Sequence, residues 1–244
     1  MIKALQFHRI TPKLQFCGTW NTPGQFAIFL DQLLKLGNKV DLPKESDKGI
    51  IVAFDDGEDT IYKYAFPILK RFNIRALVFL VVNYIGKHNL WDISMTGKRF
   101  RHLTWSQIFE MKKWGIEFGS HTMSHRNLTL MSKQEVEYEI FESKNVLDQK
   151  LGGCRSISYP FNRINQSIVE TVSKAGYEFG FGGDGRSLLM LKKEGMYITD
   201  TARTLRTKVL EKPAFLYRYD RLKQKVINFF TIATMLSRQR KGIC

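Results

Sequence analysis

The sequence predicts a single barrel-like α/β domain, on three observations. Short apolar runs alternate with stretches of helical period along the chain. The two richest runs, Gly49 to Phe54 and Arg75 to Val82, are apolar at nearly every position, as parallel strands covered on both faces require. Residues able to do chemistry, Asp55 with Asp56 and His121 with His125, follow directly on predicted strands. That is the end at which α/β folds keep their sites.

In order, Ala4 to His8 reads as a first strand and Pro23 to Leu36 as an amphipathic helix. Phe26, Phe29, Leu30, Leu33 and Leu34 stand at helical spacing in it, and Gly37 stops it. The strand Gly49 to Phe54 ends in Asp55, Asp56 and Gly57. Asp59 or Thr60 can cap the next helix, which buries Tyr64, Ile68, Leu69 and Phe72 and is bent by Pro67. After the strand Arg75 to Val82, a mixed loop runs from Asn83 to Arg101. His88 and His102 are read as surface residues, and Trp91 and Asp92 as candidates to line a groove. Thr104 or Ser106 opens a helix to Trp114, and Ile116 to Phe118 is a short strand. Ser132 and Glu135 form a capping box that starts a helix through Lys150. Ser156 to Tyr159 (strand), Asn165 to Ala175 (helix), Tyr177 to Phe181 (strand) and a glycine-rich turn at Gly182 to Gly185 follow. Tyr217 to Arg238 reads as an appended amphipathic helix.

At 244 residues with 43% hydrophobic content, the chain is long enough for one substantial core. Its three cysteines, Cys17, Cys154 and Cys244, have no metal-type spacing and argue for a reducing compartment. The start of the chain lacks an apolar signal core and no run reaches transmembrane length, so a cytoplasmic protein is expected. The net charge of +15 is uneven. From Lys212 onward eight cations face Asp220 alone, a local excess of +7. This segment places Val226, Ile227, Phe229, Phe230 and Ile232 between cationic clusters. It suits either an anionic membrane surface or a helix packed on the barrel. No recognised nucleic-acid module accompanies the charge, so nucleic acid is not an expected partner.

His121 and His125, with Asp55 or Asp56, are donors of the kind that hold a divalent cation with a position left open. Four-residue spacing would put both imidazoles on one side of a helical turn. A second, unligated aspartate can then take a proton from water, the combination that hydrolyses acyl bonds. Alone, a pair of histidines four apart or an Asp-Asp-Gly turn is more often structural. Their joint occurrence after strands reverses the balance.

The chain resembles the polysaccharide deacetylases, the carbohydrate esterase family 4 enzymes with the NodB homology domain. Phe54-Asp55-Asp56-Gly57 matches the first family motif and Ser120-His121-Thr122-Met123-Ser124-His125 the second. Ser158-Tyr159-Pro160-Phe161-Asn162 is a variant of the third, resembling a subgroup with a Tyr-Pro-aromatic motif. The resemblance implies a distorted (β/α) barrel of about seven units over residues 1–210, with residues 211–244 appended. It implies a hydrolase that removes the acetyl group from an N-acetylated sugar of a polysaccharide or lipid-linked glycan precursor. Asp55 would be the general base, and Asp56, His121 and His125 the ligands of zinc or another divalent ion. The Phe161 N–H would serve the oxyanion, and Tyr159 and Pro160 would line the substrate groove. Three departures stand out, one being that the later family motif rich in Asp and Trp has no clear match beyond Gly182 to Gly185. Ser158 occupies the place of an arginine that orients the base in many relatives, and no histidine follows His125 to act as the usual acid. His8, or a water on the metal, is the candidate in its stead. Surface-polysaccharide or O-antigen assembly at the inner membrane face would fit the basic tail. Two rival readings are a non-catalytic carbohydrate-binding or scaffold relative, and an enzyme acting on a non-sugar amide or an O-acetyl ester.

Overall fold

Period-2 alternation sorts the strand side chains into two cores. The computed structural model describes residues 2–15, 19–37, 40–43, 49–88 and 100–225. Ile2 and Ala4 of β1 (Ile2–Phe7) join Ile51, Ala53, Leu77, Phe79, Phe179, Phe181 and Leu191 in an inner cluster. Their neighbours Leu5, Phe7, Val52, Phe54 and Val78 face out, into a larger cluster with the helices. Two apolar faces per strand explain the near-continuous hydrophobic runs.

The small pair β2 (Arg9–Ile10) and β3 (Trp20–Asn21) leads into α1 (Pro23–Lys35), capped by Thr22, whose side chain accepts from the Gln25 N–H. β4 (Gly49–Phe54) pairs in parallel with β1 along its whole length. The next helix begins with a π-helical turn, Ile61–Ala65, before α2 (Phe66–Phe72). The wide turn accommodates Pro67, which has no N–H to give to the preceding turn. Thr60 makes no side-chain cap there, contrary to one of the two expected cappers.

β5 (Leu77–Leu80), α3 (Trp105–Lys113), β6 (Glu117–Ser120), α4 (Lys133–Leu151), β7 (Ser156–Ser158), α5 (Gln166–Lys174) and β8 (Phe179–Phe181) continue the alternation. Thr104, rather than Ser106, caps α3 in a reciprocal box with Gln107, and Ser132 and Glu135 form the expected box on α4.

β9 (Lys192–Gly195) and α6 (Ala202–Leu210) carry no apolar pattern to announce them. β9 lies parallel to β1 on the side opposite β4, giving a seven-stranded sheet ordered β8-β7-β6-β5-β4-β1-β9. Its ends nearly meet: the Leu191 N–H donates to the Gly180 carbonyl at 2.7 Å, and the Gly182 N–H to the Leu191 carbonyl at 2.9 Å. Gly180 permits this approach, since a Cβ there would lie 2.3 Å from the Leu189 carbonyl oxygen. The sheet is thus a nearly closed, mostly parallel barrel with helices outside.

Residues 214–225 form a helical segment against α6 and β9. Lys208, fully buried, reaches the Gly195 carbonyl and the carboxylates of Asp200 and Asp220, and Lys223 bonds Asp200 at 2.6 Å and Asp220 at 2.9 Å. The first part of the basic segment is therefore docked on the barrel by alternating charges. Its remainder, including Phe229 and Phe230, lies outside the described residues, as do Cys17, Cys244, Trp91 and Asp92. No helix among the described residues is long and apolar enough to cross a membrane.

Candidate active site

The site grows out of the inner face of the barrel. Asp55 continues the inward series of Ile51 and Ala53, and its N–H extends the β1–β4 ladder to the Phe7 carbonyl at 3.0 Å. Strict alternation would send Asp56 outward. Instead Asp56 (φ 68°) and Gly57 (φ 66°) both adopt the left-handed conformation, which turns the chain back and brings the second carboxylate over the same mouth. The left-handed angle favours glycine at Gly57, and a Cβ there would also lie 2.8 Å from Leu80 Cδ2, which would have to shift.

The two histidines meet by a different route from the one expected. Thr122 (φ 67°) and His125 (φ 59°) are also left-handed, so the stretch after β6 is not a helical turn. Hydroxyl groups fold it: Ser120 Oγ accepts from the Thr122 N–H at 3.0 Å, and Thr122 Oγ1 accepts from the His125 N–H at 3.1 Å. Ser124 is pinned to buried Glu139 of α4 through both its N–H and its hydroxyl. The imidazole centroids come to rest 4.8 Å apart.

Asp56, His121 and His125 offer ligand atoms within 4.8 Å of one another. Nε2 of His121 lies 3.5 Å, and Nε2 of His125 3.4 Å, from Asp56 Oδ1. His121 is held through Nδ1 by the Ser158 carbonyl at 2.6 Å, which leaves the Nε2 lone pair for the cluster. Burial pushes the imidazoles down, His121 to about 4 and His125 to about 3, so both are neutral near pH 7 and able to ligate. Asp56 Oδ1 is buried without a hydrogen-bond partner. Two neutral imidazoles around an unsatisfied carboxylate oxygen fit a divalent cation.

Asp55 Oδ2 also stands 3.7 Å from His121 Nε2, but its hydrogen bonds go to other groups. Gln6 Nε2 and Lys193 Nζ (2.8 Å) donate to Oδ2, and Ser158 Oγ donates to Oδ1 at 3.0 Å. Lys193 also reaches Ser158 Oγ at 2.6 Å, and its side chain is 1% exposed. Burial alone would raise the Asp55 pKa, but the Lys193 charge, with His121 and His8 beside it, holds the carboxyl well below the usual range. Lys193, on the strand that sequence patterning does not reveal, thus supplies a cation beside the base where Ser158 replaces the motif arginine. His8 stands at the end of β1 with Nε2 3.2 Å from Gln6 Nε2. Phe161 (φ 59°) lays its ring against His125, centroids 4.8 Å apart.

Three expectations require correction. Tyr159 is fully buried, its hydroxyl donating to the Leu189 carbonyl at 2.9 Å across the barrel seam, so it presents no ring to a substrate. Pro160 is buried as well. His102 is not a surface residue: it is 1% exposed and its Nδ1 lies 2.8 Å from the Asp56 carbonyl, where it supports the left-handed turn. Arg9 has no local sequence signal for its role in the fold. It grips Glu58 through two nitrogens beneath the Phe100 ring, anchoring the same turn from below.

Residues 43–180 match the profile of the Polysaccharide deacetylase family. The chain belongs to this family. A Staphylococcus aureus (strain MRSA252) poly-beta-1,6-N-acetyl-D-glucosamine N-deacetylase is 30% identical over 162 residues, 62% of this chain and 52% of that one. The YxkH protein of Bacillus subtilis (strain 168) is 33% identical over 139 residues, 56% of this chain and 45% of that one. The chain thus spans about half the length of the curated relatives it matches. Among solved structures, the Streptococcus pyogenes deacetylase PplD aligns over 84% of this chain and 96% of its own, with TM-score 0.69 and 23% identity. IcaB from Ammonifex degensii aligns over 88% and 97%, with TM-score 0.67 and 22% identity. At these identities the structural likeness establishes the deacetylase barrel.

Proposed function

We propose that the protein is a metal-dependent hydrolase that removes the acetyl group from an N-acetylated hexosamine within a polysaccharide or a lipid-linked glycan precursor. The observation that carries this reading is the pairing of a cation-ready cluster, Asp56, His121 and His125, with a second carboxylate, Asp55, held on partners of its own. Family membership and the polymer named for the Staphylococcus relative favour an N-acetylglucosamine polymer.

A divalent cation, zinc by donor preference, would supply Lewis acidity to the acyl group. The chain's own groups do the rest. Asp55, kept ionised by Lys193, accepts a proton from the attacking water, and Gln6 and Ser158 fix the plane of its carboxylate. The Phe161 N–H donates to the oxyanion as charge develops there. His8, which meets the same Gln6 Nε2 that bonds Asp55, protonates the departing amine. In this reading residues 1–210 form the deacetylase unit. Residues 211–244 bring it to an anionic membrane surface, at the inner face of the membrane where surface polysaccharides such as O-antigen are assembled. The uneven positive charge supports that placement.

The test is acetate release from β-1,6-linked N-acetylglucosamine oligomers by protein stripped of metal and then titrated with zinc. Activity should appear with the ion and vanish with chelator. Equal rates in both states would remove the metal from the reading.

A further inference from the structure

A second concave region adjoins the barrel mouth and shares Lys193, the partner of Asp55, with it. Between the turn after β8, the start of β9 and the helical segment 214–225 runs a groove of about 520 Å³, within the range of small-molecule sites. Lys192, Tyr217, Arg218, Arg221, Leu222 and Lys225 line it. The single acidic side chain in its wall, Asp184, is engaged by Arg186 at 2.6 Å. Arg221 is partly neutralised by Glu194 at 3.3 Å, whereas Arg218 and Lys225 make no ion pair among the described residues. A concave wall with this cation excess focuses positive potential and concentrates anions.

The helical segment places a different surface beside the groove. At 100° per residue, Asp220 and Gln224 mark its buried side, and Arg221, Lys225 and Arg218 follow around the groove. Leu222, Phe215 and Tyr219 come next. They are 61%, 69% and 70% exposed, and their i, i+4, i+7 spacing makes them one apolar stripe. Leu222 belongs both to the stripe and to the groove wall. Cations in a recess flanked by exposed hydrocarbon-seeking side chains match an amphiphile with an anionic head.

We propose that this groove is a binding site for the headgroup phosphate of an anionic phospholipid, with the Phe215, Tyr219 and Leu222 stripe entering the acyl boundary beside it. This deepens the membrane placement given above and rests on it.

The test is co-sedimentation of the full chain with vesicles of phosphatidylcholine alone or containing phosphatidylglycerol, at constant salt. The wild type should bind the anionic vesicles and not the neutral ones. Arg218→Gln with Lys225→Gln should weaken binding by about thirty-fold. Lys112→Gln with Lys113→Gln removes the same net charge from exposed positions on α3 and should change it much less. Equal loss in the two double variants would overturn the groove while leaving membrane attachment intact. Absence of binding to either vesicle would overturn the membrane placement and the proposal together. Calorimetric titration with inorganic pyrophosphate separates the remaining case. Tight binding of pyrophosphate, abolished by Arg218→Gln with Lys225→Gln, alongside no vesicle binding, would make the groove a soluble-phosphate site and overturn the lipid assignment.

Discussion

β4 and β9 are the two flanks of the same strand, β1, yet they use opposite chemistry to fill the same barrel. β4 is Gly-Ile-Ile-Val-Ala-Phe and delivers carboxylates only after its last residue. β9 is Lys-Lys-Glu-Gly and buries charge along its length. Lys193 points inward to Asp55, and Glu194, also buried, points outward to the Tyr217 hydroxyl at 2.7 Å. A charged strand survives in this position because each buried charge has an assigned partner. Without the pairing, desolvation would oppose the strand. In the proposed mechanism one strand therefore carries the reacting group and the other tunes it.

Removing the reacting group should have the largest effect. Asp55→Asn should lower acetate release by about 10²- to 10⁴-fold, the usual worth of a positioned general base, while metal content measured by atomic absorption stays near wild type. Near-normal turnover in this variant would mean that β4 does not supply the base.

The next effect belongs to β9. Lys193→Met leaves the buried Asp55 carboxylate with only Gln6 and Ser158, and should destabilise the fold by about 3–5 kcal/mol in urea titrations. In an Asp55→Asn background the same substitution should cost much less, because no charge is left unpaired. Identical costs in both backgrounds would show that the two residues are not coupled. In the single variant the acid limb of the kcat/KM profile should also move to higher pH, since the cation that holds the Asp55 carboxyl low is gone.

That coupling marks the boundary of what could be read from the sequence. The alternation of elements was legible because β4 and β5 are apolar on both faces, and because Thr104 and Ser132 cap their helices by local rules. Asp55, Asp56, His121 and His125 were legible because motif residues follow strands. Lys193 was not, since it lies 138 residues from Asp55 and on a strand without hydrophobic period. Tyr159 and His102 misled for the same reason: whether a ring is core or surface depends on the seam at Leu189 and on the Asp56 turn. Both contacts form only when distant segments meet.

Acid should separate the strand-end histidines from the charged pair. His121 and His125 have folded values of about 4 and about 3, below the 6.5 of an exposed imidazole. The unfolded chain then binds more protons than the folded one, so stability of the metal-free protein is full above about pH 6.5 and falls as pH drops toward 4. For the two imidazoles together the loss should be about 6 kcal/mol over that interval. Asp55 stays ionised throughout, because its value lies lower still. Guanidinium midpoints at pH 7, 6, 5 and 4 measure this, and a flat series would mean that the imidazoles are not held neutral by burial.

The smallest effect tests the outer half of β9. Tyr217→Phe removes one donor from Glu194, whose carboxylate is fully buried and whose Oε2 already lacks a partner. A hydrogen bond to a buried charge suggests a cost near 1.5 kcal/mol. The cost should stay well below that of Lys193→Met, because Arg221 remains 3.3 Å away and its partly exposed side chain can shift inward. Since Tyr217 belongs to the helical segment, the variant should also show faster proteolysis within residues 214–225 while the barrel resists. Unchanged cleavage there, together with an unchanged urea midpoint, would mean that Glu194 does not hold that helix and that the outward charge of β9 is satisfied from within the barrel.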